Sequence, residues 1–376
     1  MKRVDRGAPL KLAVILADGV RQAAETENTM TSVERIRVYG TLPREGRGRA
    51  NEKPPPSGWP SSGRLELAGV RMRYRPGLPL ALNRVSFVAE AGQRVGIIGR
   101  TGVGKSSLLS MLFRLVEHEA GSVLLDGVDV ATLPIGAVRA ALSIIPQEPL
   151  LFSGTVRSNI DPLGLLEAAG DAVLGGILER CSMAGKVRRL EGGLDATVAE
   201  AGANFSAGER QLLCLGRALA RGARVLCLDE ATATVDMQTD QQIQRGVASA
   251  ARSGGLTLLT IAHRLQTIAD YDMLVGMGPA PGGGGHIVEY DSPAMLLRDP
   301  ESLFSRLVQE TEPGSQVLVA AVLCCLSFRI QQSRLGRAQC EVNRWHNEVG
   351  LCGPRHRASF GRWRRRRSGR RLSRSL

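Results

Sequence analysis

The sequence predicts an α/β domain built around a buried parallel sheet, and three observations carry that expectation. Gln93–Ile98, Arg224–Leu228 and Leu256–Ile261 are short runs that turn apolar, of strand rather than helix length. The first is followed directly by a glycine-rich turn and then by Ser107–Leu115, which carries a helical pattern. Finally, 376 residues with 43% hydrophobic content supply apolar surface for one large or two ordinary domains.

Taken in order, residues 1–63 give the weakest signal. Leu12–Ala17 sits behind basic residues and imitates a signal peptide, but it is short and lacks a cleavage site. Gly40–Gly63 holds five prolines among glycines, serines and charges, so a disordered linker is expected there. From Arg64 to Glu90 polar and apolar residues alternate, as in Val85-Ser-Phe-Val88, which predicts antiparallel strands.

Gly99 to Ser106 reads G-R-T-G-V-G-K-S, the pattern G-x-x-x-x-G-K-[ST] of a phosphate-binding loop. Its glycines let backbone N–H groups turn toward phosphate oxygens. Lys105 would reach the β- and γ-phosphates and the Ser106 hydroxyl would meet Mg²⁺. The plain alternative, a glycine-rich turn with an exposed lysine, is weakened by the strand before it and the helix after it. That helix start adds its dipole to the anion site.

Gln147 to Arg210 reads as mainly helical. Within it, Ser206-Ala-Gly-Glu209 fits the capping box S-x-x-E at the start of a helix over Arg210–Leu219. Such a start offers free N–H groups and a positive dipole end to an anion. The apolar run Arg224–Leu228 then ends in Asp229-Glu230. Acids at the carboxyl end of a parallel strand can hold hydrated Mg²⁺ and orient or deprotonate a water. The alternative is a pair that merely caps the next helix. Leu256–Ile261 places His263 just past the carboxyl end of another buried strand. Between Met277 and His286 the run Gly-Pro-Ala-Pro-Gly-Gly-Gly-Gly predicts a flexible loop insertion, and Ser292-Pro293 a capped helix with proline at its first position.

In this order the segments resemble the nucleotide-binding domain of ATP-binding cassette (ABC) transporters. More narrowly they resemble the second such domain of the C subfamily, the multidrug-resistance-associated proteins. The similarity runs from about Arg64 to Gln309, and weakly through Ala23–Arg35, which looks like the end of that family's last transmembrane helix and its linker. The resemblance implies a P-loop NTPase core with an antiparallel β subdomain and a helical signature subdomain, the ABC ATPase fold. It divides the chain into a remnant and linker (1–63), the nucleotide-binding domain (64–311) and a disordered Arg-rich tail (312–376). ATP and Mg²⁺ are the implied cofactors.

Residue by residue, the resemblance gives Tyr74 the stacking role on adenine, a flat π face against a flat purine. Gly99, Arg100, Thr101, Gly102, Val103, Gly104, Lys105, Ser106 and Ser107 form the phosphate loop. Gln147, in Ile144-Ile-Pro-Gln147, matches the glutamine that contacts Mg²⁺ and the attacking water. With Ser106 and Asp229 it makes the metal set. Glu230 matches the general base, and its being Glu rather than Asp agrees with a second-type domain. His263 matches the switch histidine on the γ-phosphate, and Asp236 the loop that crosses to the partner domain. Ser206 and Gly208 match the signature that meets the γ-phosphate held by the opposite domain. Phe205-Ser-Ala-Gly-Glu209 departs from the common L-S-G-G-Q at three places. A carboxylate at position 209 is unfavourable near phosphate unless it turns back to cap its own backbone.

The function implied is an ATP-hydrolysing domain that powers transmembrane export. Its partners would be a second nucleotide-binding domain and the transmembrane domains, and its place the cytosolic face of a membrane. A soluble ABC-type ATPase of translation or DNA repair, or an ATP-gated channel or regulator, remains the alternative. No apolar run in the sequence spans a bilayer, so a truncated gene model, a half-type protein or one part of a multi-chain transporter is expected. The net charge is +13, but ten arginines and no acids lie in Leu351–Leu376. That tail could bind anionic lipid or nucleic acid or act as a nuclear address. The favoured reading is a disordered tail or translated non-coding sequence, so no specific nucleic-acid partner is expected. The seven cysteines show no metal spacing and suit a reducing environment.

Overall fold

A computed structural model describes residues 8–42, 45, 52–229, 237–262 and 264–311, together with 316 and 319. Twelve strands are present among these residues: β1 (Leu65–Met72), β2 (Leu82–Ala89), β3 (Arg94–Gly99), β4 (Ala120–Leu125), β5 (Val128–Asp129), β6 (Leu142–Ile145), β7 (Gly154–Thr155), β8 (Thr197–Val198), β9 (Val225–Asp229), β10 (Thr257–Ile261), β11 (Met273–Pro279) and β12 (Gly285–Asp291). Ten of them form one sheet in the order β5-β4-β1-β2-β12-β11-β3-β10-β9-β6, while β7 and β8 pair separately. The run β11-β3-β10-β9-β6 is parallel throughout. The other flank is mainly antiparallel, with β1 between β2 and β4. A single parallel bridge, Gly285 to Leu82, joins the two flanks. The sheet is therefore the mixed α/β architecture that the sequence predicts.

The apolar runs are explained by what lies on each side. Val95 and Ile97 of β3 enter one core and Ile98 the other. Val225 and Cys227 of β9 follow the first pattern, Leu226 and Leu228 the second. Alternate side chains point to opposite faces of a sheet, so a strand covered on both faces must be apolar at every position. Each fully buried Leu, Ile or Val contributes about 1.5–3 kcal/mol relative to exposure.

Helices fill the two faces. On one face lie α2 (Lys105–Leu112) and α3 (Ile135–Ala141), through Leu108, Leu109, Met111, Leu112 and Val138. On the other, α4 (Val156–Ile160), α5 (Asp171–Arg180) and α6 (Ala184–Val187) surround α7 (Ala207–Ala220), which buries Leu212, Leu213 and Leu215. Next comes α8 (Met237–Gly254), which packs on α7. Three short helices follow: α9 (Leu265–Ile268), α10 (Pro293–Leu296) and α11 (Leu303–Glu310). Pro293 does open α10, but the Ser292 side chain makes no capping bond.

Two expectations from composition are corrected. Residues 52–63 are not a free linker, because they are tied to the domain. Lys53 N–H donates to Thr132 O (2.9 Å) and Trp59 Nε1 to Leu125 O (2.8 Å). The Asp126 carboxylate accepts from the backbone N–H groups of Ser61 (2.7 Å), Ser62 (2.8 Å), Gly63 (3.1 Å) and Arg64 (2.8 Å). Proline and glycine remove regular structure from this segment, but a distant carboxylate supplies the acceptor it lacks. The glycine run after Met277 is likewise a closed turn. Ala280 N–H donates to Gly284 O (2.7 Å) and Gly283 N–H to Ala280 O (3.0 Å), between antiparallel β11 and β12.

The N-terminal helix α1 covers Ala8–Thr41, with its described side chains exposed. Among the described residues no helix is long and apolar enough to cross a membrane. The Arg-rich stretch Leu351–Leu376 lies outside the described residues, as do Glu230, Asp236 and His263.

Candidate functional site

The phosphate loop leaves β3 at Gly99 and enters α2 at Lys105. Gly99, Gly102 and Gly104 have φ of +150°, +85° and +93°. Space adds to this requirement at two of them. A Cβ on Gly99 would lie 2.5 Å from Met277 O, and one on Gly104 2.6 Å from Ala81 O. At Gly102 a Cβ would meet nothing, so there the requirement is conformational alone. The loop is thus pressed against the backbones of β11 and of the entry to β2, with its other side open.

Gly104 caps α2 without any side-chain hydrogen bond. A glycine at this position has no side chain to compete for the helix start, which suits an anion. Lys105 is buried, at 9% exposure. Its Nζ donates to Gly99 O (2.8 Å) and Arg100 O (3.1 Å), so the ammonium is folded into the loop. Ser106 is exposed and Ser107 buried. Tyr74 presents a half-exposed ring beside this helix, and its hydroxyl bonds the Ser107 hydroxyl at 2.9 Å. Arg100 reaches across the surface to Glu310 of α11 (3.2 Å). A curved glycine backbone, a lysine inside it and an exposed hydroxyl at a helix start fit a nucleotide phosphate chain.

The remaining site residues are carried by neighbouring strands. Asp229 ends β9 opposite Ile261 of β10, and Ile261 lies opposite Ile97 of β3. Asp229 therefore comes to the same edge of the sheet as the loop that starts at Gly99. The N–H of Ala262 donates to Ile97 O (3.1 Å), which holds the end of β10 beside β3. Gln147 follows β6, which pairs with β9, and is exposed. Ser106, Asp229 and Gln147 are oxygen donors, the type a hard divalent cation takes.

The signature segment belongs to a different layer. Ser206 Oγ accepts from Glu209 N–H (3.2 Å), and Glu209 Oε2 accepts from Ser206 N–H (3.0 Å), closing the capping box. Glu209 does turn back onto its own backbone. Its Oε1 lies 3.0 Å from Lys186 Nζ. Partial burial would raise the Glu209 pKa, but the Ser206 N–H and Lys186 together outweigh it and hold the carboxyl below its ordinary value. Phe205 is buried, Gly208 is buried and Ser206 is exposed. Since α7 is buried in one core and α2 in the other, the signature helix and the helix that follows the phosphate loop lie on opposite faces of the sheet.

Sequence reading missed the groups that tie the loop after Gln147 to α7. Asn159 is fully buried. Its Oδ1 accepts from Phe152 N–H and its Nδ2 donates to Phe152 O, both at 2.8 Å. Arg217 of α7 donates to Asn159 O (2.8 Å) and Leu150 O (3.1 Å), and its guanidinium stands 4.8 Å over the Phe152 ring. In the sequence Asn159 stands in the stretch Asn159-Ile-Asp-Pro162, where nothing local announces these partners. For Arg217 and Lys186 no local pattern marks a partner. The described cysteines, Cys181, Cys214 and Cys227, are buried free thiols. Burial pushes Cys181 and Cys227 up to about 12.

Residues 82–233 match a family model described as ABC transporter. A mouse protein named ATP-binding cassette sub-family C member 10 is 45% identical over 81% of this chain, which covers 20% of that protein. A maize protein named ABC transporter C family MRP4 is 42% identical over 82% of the chain, again covering 20% of the relative. ABC transporter C family member 3 of Arabidopsis thaliana is 43% identical over 76% of the chain. The chain thus spans about a fifth of the length of these relatives. Among solved structures, a bacterial Atm1-family ABC exporter with ATP bound superposes with a TM-score of 0.66 at 30% identity, over 81% of this chain and 50% of that one.

Proposed function

We propose that this chain, which belongs to the ABC transporter family and carries its ATP-binding domain, is the ATP-hydrolysing motor of a C-subfamily exporter, working on the cytosolic face of a membrane. The observation that carries this reading is the pairing of a glycine loop folded around Lys105 with Asp229 on the same sheet edge. Gly99–Ser107 would hold the phosphates and Tyr74 the adenine. Ser106, Gln147 and Asp229 would hold Mg²⁺, which supplies charge neutralisation on the β- and γ-phosphates. Glu230 would take a proton from the attacking water as its oxygen bonds the γ-phosphorus and the bond to the bridging oxygen breaks. His263 would contact the γ-phosphate.

Placement of α2 and α7 in separate cores supports a composite site, in which Ser206 and Gly208 meet the phosphate of a second domain and Asp236 lies at the crossing. Transmembrane domains are the further partners, and closure of the ATP sandwich is what would move them. The test is steady-state phosphate release by the full chain across a concentration series, with Glu230→Gln as comparison. Release per chain should rise with concentration and vanish in Glu230→Gln. An active Glu230→Gln chain, or a rate per chain independent of concentration, refutes the reading.

A further inference from the structure

We propose that Lys186 is a positioning residue of the signature. Its ion pair holds the Glu209 carboxylate turned back on the capping box, so that the start of α7 stays open to the phosphate of a second nucleotide-binding domain. This rests on the composite-site reading above and adds a residue that no motif marks.

The argument starts from the cost of the carboxylate. The start of α7 carries free N–H groups and a partial positive charge, which is what would attract an anion. A glutamate three residues in sets its own negative charge against that anion. Two contacts limit the damage, one per oxygen. Oε2 is occupied by the Ser206 N–H at 3.0 Å, and Oε1 by Lys186 Nζ at 3.0 Å. Without Lys186, the capping bond alone would hold the side chain, and its charge would be uncompensated. Lys186 comes from the short helix α6, which packs on α5, while α5 packs on α7. Both partners are partly exposed, at 43% for Lys186 and 26% for Glu209. The pair therefore adds little to folding stability. Its effect should show where a second charge is brought to the same place, in the ATP-bound dimer.

The coupling makes a sharp demand. Lys186 should matter only while residue 209 is charged. The experiment uses the full chain carrying Glu230→Gln, so that the ATP-bound dimer accumulates, and measures the dimer dissociation constant by sedimentation with Mg·ATP. Lys186→Met should weaken association about tenfold, with melting temperature and ATP affinity of the dilute chain unchanged. Lys186→Arg should retain association. Adding Glu209→Gln to Lys186→Met should restore it, and Lys186→Met should then have no effect of its own. An equal loss from Lys186→Met with Glu209 and with Gln at that position overturns the proposal, as does no loss at all. Ser206→Arg separates the two levels. If it abolishes association while Lys186→Met does nothing, the composite site stands and the role of Lys186 falls. If Ser206→Arg is without effect, the composite-site reading itself fails, and the proposal with it.

Discussion

The hydroxyls of Tyr74 and Ser107 lie 2.9 Å apart, which ties the tyrosine to the helix that follows the phosphate loop. The ring is half exposed, so its face is available while its edge is fixed. The two parts of the side chain can be separated. Tyr74→Phe should keep most ATP affinity, losing only one neutral hydrogen bond of about 0.5–1.5 kcal/mol. Tyr74→Ala should cost more, and should cut the preference for ATP over inorganic triphosphate. Calorimetry with both ligands reads the difference. An unchanged preference in Tyr74→Ala would remove the stacking role.

Lys105→Ala removes the buried ammonium that now bonds Gly99 O and Arg100 O. Binding of Mg·ATP by the full chain should weaken by roughly 1.5–3 kcal/mol, the range for a charge-assisted contact. Lys105→Arg should not rescue, because the larger planar group does not fit within the same loop. Equal ATP affinity in wild type and Lys105→Ala would remove the assignment of the loop.

Gly285 acts on the loop without reaching a nucleotide. A Cβ there would fall 1.8 Å from Val103 O, so the backbone of β12 or of the phosphate loop must shift. Gly285→Ala should weaken ATP binding roughly tenfold, since small displacements of positioned groups are costly. Gly282→Ala is the control in the same turn, because a Cβ there meets nothing within 4 Å, although its φ of +92° adds local strain. Similar ATP affinities for the two variants would show that the contact with Val103 carries no weight.

Asp126 gives a pH dependence of known sign. Partial burial would raise its pKa, but the Ser62 hydroxyl and the N–H groups of Ser62, Gly63 and Arg64 lower it from 3.8 to about 2. The folded pKa lies below the unfolded one. Its stabilisation is therefore complete above pH ~4 and is lost as pH falls through about 2. Because the carboxylate is partly exposed, about 1 kcal/mol is a fair size after screening. In Asp126→Asn, melting temperature at neutral pH should fall and this part of the acid dependence should disappear. A variant whose acid unfolding follows the wild type would show that residues 61–64 do not depend on this carboxylate.

The strands of the parallel core were legible because burial on both faces forces residues such as Leu226, Cys227 and Leu228 to be apolar together. The capping box of Ser206 and Glu209 was legible because it is local, spanning four residues. What escaped is long-range. Nothing near Trp59 announces Leu125, and nothing near Lys186 announces Glu209. Composition misled at residues 52–63 and at Ala280–Gly284, where glycine and proline mark bends in an ordered path. The two-residue ladder of β7 and β8 is too short to leave a pattern. Part of the candidate site, Glu230, Asp236 and His263, lies outside the described residues.

The order of strands in the sheet also sets an order in time. β3 carries the phosphate loop, yet its sheet neighbours are β10 and β11, with pairs such as Ile97 to Ile261 and Gly99 to Met277. When the ribosome has made residue 106, every residue of the loop exists but neither strand that seats it does. Closing such a distant pair costs chain entropy before any contact rewards it. ATP can therefore act as a folding ligand only after Met277 has emerged. For most of the synthesis of this domain the glycine loop is a stretch without the strands that seat it.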